Sequence, residues 1–185
     1  MEPLSLPVTV VLVAVLIAAA TDLRAFKIYN VLTLPLLISG LIYHGATAGA
    51  EGFLESAMGA LFGFGSLLLL YLLGGMGGGD VKLMAGVGAW LGVPITVLIL
   101  LAASLAAGVY AAVIIVMNGR ARETLVKFQI MWYRLTAVGR NLTAEDQVES
   151  MLKREDRRGR AVPFGAMTGI GLVALIAISR WRVMP

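Results

Sequence analysis

The chain has 185 residues, of which 59% are hydrophobic and only 14% charged; a water-soluble domain carries about 25% charged residues, so a single soluble core is excluded and the bilayer is the solvent to assume. Cysteine is absent and His44 is the only histidine, which excludes disulfide scaffolds, thiolate metal sites, a cysteine nucleophile and a Ser-His-Asp triad, and leaves carboxylates, hydroxyls, Lys and Arg to carry chemistry. The net charge is +4, but ten of the 15 Lys and Arg residues fall between Arg120 and Arg160, a distribution that fits a cytoplasmic loop and argues against nucleic acid as a partner.

A membrane span needs about 20 mostly apolar residues. The first is predicted over residues 4–20, ending at Thr21-Asp22. Glu2 and the lack of Lys or Arg before this run argue for a retained span and against a cleaved signal peptide. The second covers 31–50, interrupted only by His44. Glu51 and Glu55 then separate it from a third over 56–74, where Gly59, Gly63 and Gly65 suggest close helix packing. Gly74 to Gly79 holds too many glycines for a comfortable helix, since each costs about 1 kcal/mol relative to Ala, and is expected to be a loop or a break.

From Leu83 to Met117 no residue is charged. As one helix this run extends far beyond the roughly 30 Å hydrocarbon core. Gly92-Val93-Pro94 divides it into a short fourth span over 80–92 and a fifth over 94–117, because Pro disfavours helix at the residue before it. Residues 118–160 form a charged loop. In it Leu125, Phe128, Met131, Trp132, Leu135 and Val138 recur at helical spacing, as in an amphipathic helix on a lipid surface, and Thr143 with Asp146 resembles a capping box. The sixth span covers 161–179, flanked by Arg180 and Arg182. Trp90, Trp132 and Trp181 read as interfacial anchors.

The expected fold is therefore all-α: one polytopic domain of six transmembrane helices with a charged loop between spans five and six. Parity puts Asp22, Asp80 and loop 118–160 on one side. That side also holds Arg24, Lys27, Lys82 and the ten clustered cations, which makes it cytoplasmic. Glu51, Glu55 and His44 then lie on the opposite side, too far away to join chemistry at the aspartates.

Acidic residues at membrane spans are costly and point to function. Asp22 and Asp80 are 58 residues apart in sequence, and antiparallel packing of spans one and four brings them together. Two carboxyls sharing a site do not both ionise easily, so such a pair serves as base and acid at once. The glycines beside Asp80 permit close approach of an extended peptide. Chemistry alone leaves a second reading open: two aspartates that cap helices, with glycines that serve packing.

Gly77-Gly78-Gly79-Asp80-Val81-Lys82-Leu83-Met84-Ala85 resembles the GxGDxKLxA motif of the type IV prepilin peptidases, a family of membrane aspartic proteases. Asp22-Leu23-Arg24, Ile28-Tyr29-Asn30 and Leu34-Pro35 resemble that family's first motif, and Pro163-Phe164-Gly165 resembles the opening of its last span. The resemblance implies that Asp22 and Asp80 are the catalytic pair, and that Arg24, Asn30, Gly77, Gly79, Lys82, Pro163, Phe164 and Gly165 are motif residues in supporting roles. For Arg24 and Lys82 those roles are to bias Asp protonation, to hold substrate, or only to anchor the cytoplasmic side. It implies no metal or organic cofactor, prepilin precursors as partners alongside membrane lipid, and residence in the inner or cytoplasmic membrane of a bacterium or archaeon. Tyr29 stands where the family has Pro. The cysteine-rich insertion of longer members, which also N-methylate the new amino terminus, has no counterpart here, so no methyltransferase activity is expected. Compact members of this kind resemble the peptidases of tight-adherence (Flp-type) pili. Presenilin-type proteases share GxGD, but Asp22-Leu23-Arg24 and Lys82 fit the prepilin group better. A proton- or ion-coupled transporter using the same aspartates, and a non-catalytic pilus assembly subunit, are the rival classes.

Overall fold

The computed structural model describes residues 5–25, 27–72, 76–118 and 163–183. They form four helices: α1 (Leu6–Ala25), α2 (Asn30–Leu72), α3 (Gly78–Asn118) and α4 (Phe164–Val183). No strand occurs among the described residues. α1, α2 and residues 78–114 of α3 are each long and apolar enough to cross a membrane; the apolar part of α4, Phe164–Ala177, is shorter. Large apolar side chains such as Leu61, Leu105, Val31 and Ile42 cover the outside of the bundle, as helices bathed in lipid require.

α2 has 43 residues and would run about 64 Å as a straight helix, roughly twice the hydrocarbon thickness. It does not run straight. Gly49 takes φ 65° and ψ −147°, a conformation that costs Gly nothing and other residues a great deal. The chain reverses there: a Cβ on Gly45 would lie 3.6 Å from Phe53, whereas residues eight apart in a continuous helix are about 12 Å apart. The break at 51–55 expected from the glutamates is thus misplaced. Glu51 and Glu55 are exposed on helical backbone, where Glu is a good helix former. α3 breaks in the same way at Gly92 (φ 70°, ψ 176°), inside the Gly92-Val93-Pro94 segment that the sequence marks as a turn. Six helical segments result among the described residues.

Small residues set the packing, as they do where lipid removes the hydrophobic drive between helices. A Cβ on Gly59 would strike the Gly88 carbonyl, and one on Gly63 the Met84 carbonyl. α2 and α3 therefore meet backbone to backbone. Gly65 has open space around it, so its expected packing role is not met. Leu83, Met84, Val87 and Ile99 of α3 join Val11 and Val15 of α1 in the buried core. Trp90, expected at an interface, is buried instead. Its indole N–H donates to the Leu36 carbonyl at 2.8 Å, and its ring stacks on Tyr43 at 5.1 Å. A satisfied N–H is what permits a Trp to be buried.

Other boundaries also shift. α1 continues through Asp22 to Ala25, so Asp22 lies in its last turn and not in the turn that follows. α3 is already helical at Gly78, inside the segment expected to be a loop. α4 starts at Phe164 and reaches Val183, past the expected end at 179. The predicted amphipathic helix with Trp132, the capping box at Thr143, and nearly all of loop 118–160 lie outside the described residues.

Candidate active site

Three helix ends and one connector meet at one end of the bundle. Asp22, on the last turn of α1, is 6% exposed. α4 begins against it. The first N–H groups of a helix have no partner within the helix, and the Gly165 N–H donates to Asp22 Oδ2 at 2.9 Å. The Ala166 N–H also hydrogen-bonds to this carboxylate. Asp22 thus caps α4 from another helix, where the positive end of the helix dipole favours an anion. Pro163 has no N–H to leave unsatisfied, and its carbonyl accepts from Met167 at 3.1 Å. Gly165 has no room for a side chain: a Cβ there would lie 3.1 Å from Asp22 Oδ2. Pro163 and Phe164 are buried beside it.

Asp80 belongs to the first turn of α3. Gly78 is the first helical residue and Gly77 the cap, so Asp80 is the third. From there its carboxylate reaches back to the Gly77 N–H and to its own, the backward half of a capping box. Gly77 is confined by the same contact, since a Cβ on it would lie 3.1 Å from Asp80 Oδ2. The other oxygen, Asp80 Oδ1, is buried and has no hydrogen-bond partner. Asp22 and Asp80 lie within electrostatic reach of each other. Among the described residues, no group of three His, Cys, Asp or Glu could hold a metal ion.

The remaining motif residues divide. Gly79 brings the start of α3 against Ile28, in the connector between α1 and α2. Lys82 donates to Asn30 Oδ1 at 2.9 Å across α3 and α2 in an exposed pair, so its ammonium is engaged with Asn30 on the rim of the site. Arg24 is exposed on the last turn of α1. His44, Glu51 and Glu55 are at the far end: His44 Nε2 lies 3.0 Å from the Trp90 carbonyl oxygen. Ala166 was missed by sequence reasoning, and Ile28 was named only as part of the Ile28-Tyr29-Asn30 motif, with no role of its own. The motif marked Ile28 by its place in the short connector between α1 and α2, but not by any contact; nothing marked Ala166 as a donor.

The sequence profile of the type IV leader peptidase family matches residues 9–112, more than half of the chain. The chain belongs to that family. The match includes both aspartates and ends before Pro163. Among curated proteins, the chain is 45% identical over 82 residues to a prepilin leader peptidase/N-methyltransferase of Dickeya chrysanthemi, an alignment covering 40% of this chain and 28% of the relative. It is 40% identical over 96 residues to the like-named protein of Neisseria gonorrhoeae, covering 48% and 33%. It is 36% identical over 118 residues to that of Escherichia coli K12, covering 60% and 52%. The chain thus spans about half the length, or less, of these relatives. No solved structure matches it. As a type IV leader peptidase family member it combines a helical, apolar bundle with two carboxylates gathered at one end.

Proposed function

We propose that this chain is a membrane aspartic endopeptidase that removes the leader from type IV (Flp-like) prepilin precursors, with Asp22 and Asp80 as its catalytic pair. The observation that carries the reading is Asp80 Oδ1, a buried carboxylate oxygen without a partner, on a group within electrostatic reach of a second carboxylate. Buried polar groups are normally satisfied, and an open carboxylate oxygen offers a place for water or a scissile carbonyl. In the proposed reaction one carboxylate takes a proton from water as the water oxygen attacks the carbonyl carbon. The other, protonated, hydrogen-bonds the carbonyl oxygen. Collapse of the tetrahedral adduct breaks the C–N bond, and the departing nitrogen takes up a proton from the pair. No cofactor enters.

Six segments cross the membrane in this proposal. The breaks at Gly49 and Gly92 supply the two extra reversals, and loop 118–160 with its ten cations lies on the cytoplasmic side together with the site. The relatives' names pair peptidase with N-methyltransferase; the proposal is confined to hydrolysis, because the α1–α2 connector is only a few residues long and the chain has no cysteine. The test is to reconstitute the chain in liposomes with an Flp-type pilin precursor and identify the products by mass spectrometry. A single cut at the leader junction is expected. No cut across a panel of precursors that another prepilin peptidase processes would move the reading to a transporter or an assembly subunit.

A further inference from the structure

One side chain touches both halves of the site. Ile28 is 7% exposed, in the connector between α1 and α2. A Cβ on Gly165 would lie 2.9 Å from Ile28 Cδ1, and a Cβ on Gly79 would lie 2.9 Å from both Ile28 Cβ and the Ile28 carbonyl oxygen. Carbon atoms in contact sit about 3.5–4.0 Å apart, so Ile28 fits between these two backbones only because both positions are glycine. Gly79 precedes Asp80, and the Gly165 N–H holds Asp22. Asp80 is fixed to the start of α3 and Asp22 to the start of α4. The gap between those helix starts sets the distance between the carboxylates, and Ile28 fills it.

We infer that Ile28 is a positioning residue that sets the spacing of the Asp22–Asp80 pair. Its Cβ and carbonyl bear on α3, its Cδ1 bears on α4, and branching at Cβ makes the side chain stiff at χ1. Its catalytic consequence rests on the proposed peptidase function; its geometric content does not. A misplacement of about 1 Å at a reacting pair can cost about 10²-fold in rate. Ile28→Ala is therefore expected to lower kcat by about 10²-fold with KM little changed, since the residue is buried.

The contacts also dictate a pattern of rescue. Gly165→Ala meets Cδ1, which valine lacks, whereas Gly79→Ala meets Cβ and the backbone, which valine keeps. Ile28→Val should thus restore part of the kcat lost in Gly165→Ala and none of that lost in Gly79→Ala. Ile99→Val removes the same methyl from an equally buried place in α3, beyond the Gly92 break, and should leave kcat unchanged. Equal rescue of both glycine variants, or an equal kcat loss in Ile99→Val, would overturn the inference.

A second measurement works without activity. The chain has no cysteine, so an Asp22→Cys/Asp80→Cys pair in the full chain in liposomes can be cross-linked with thiol reagents of graded length. Ile28→Ala is expected to shift the reagent length of highest yield. An unchanged profile overturns the spacing role even if the wild type cuts its substrate. A shifted profile in a protein that cuts nothing leaves the spacing role standing and removes the peptidase reading.

Discussion

At the end of the bundle that carries Gly49 and Gly92, the Ser56 hydroxyl donates to the Ala89 carbonyl at 2.6 Å, the Thr96 hydroxyl to the Gly92 carbonyl at 2.6 Å, and His44 meets the Trp90 carbonyl. At the other end Asp80 keeps a buried oxygen with no partner, beside a second carboxylate. Leaving a buried polar group unpaired costs about 1–3 kcal/mol. The far end avoids that cost by pairing side-chain donors with the backbone carbonyls around its helix breaks. The site end accepts it at Asp80, and also at Thr33 Oγ1 in the first turn of α2, which is buried without a partner; it holds the Asp80 carboxylate in place with helix starts brought together at Gly77, Gly79 and Gly165. The contrast teaches that unpaired burial alone does not single out Asp80, since Thr33 shares it; what does is a carboxylate that lies within electrostatic reach of a second one.

The contrast can be broken from either side. Asp22→Asn and Asp80→Asn should each lower the cleavage rate by about 10²–10⁴-fold, the range supplied by a positioned acid or base. Each keeps an acceptor for the helix start it caps, so the melting temperature in detergent should stay near wild type; a collapse in stability would mean the aspartates are caps first. Gly59→Ala should do the reverse, because its Cβ strikes the Gly88 carbonyl. A loss of about 1–3 kcal/mol from overpacking, seen as a lower melting temperature with kcat retained in the folded fraction, is expected. Ser56→Ala should cost about 0.5–1.5 kcal/mol, again without change in kcat. Gly65→Ala, where space is open, should stabilise slightly, by at most about 1 kcal/mol of helix propensity. A destabilised Gly65→Ala would show that it packs against a partner.

What was legible in the sequence was local. The two aspartates, the Gly-rich approach to Asp80 and the break near Pro94 each follow from the chemistry of a few neighbouring residues. A break between the second and third spans was legible, but its place at Gly49 was not, because Gly49 differs from the other glycines of α2 only in the φ it adopts, and the nearby glutamates looked like the stronger signal. Burial of Trp90 depends on a carbonyl 54 residues away, and the Lys82–Asn30 bond joins residues 52 apart; neither pairing leaves a trace in local pattern. The spacer role of Ile28 is visible only once Gly79 and Gly165 are placed on either side of it.

The central claim is that Asp22 and Asp80 act as one unit, and the measurement that tests it most directly is the cleavage rate of the Asp22→Asn/Asp80→Asn double variant beside the two single variants. Residues that act as a unit are strongly non-additive. The double variant is therefore predicted to cut as slowly as the slower single variant and no more slowly. Losses that multiply would mean that the two carboxylates contribute independently, and would contradict the account.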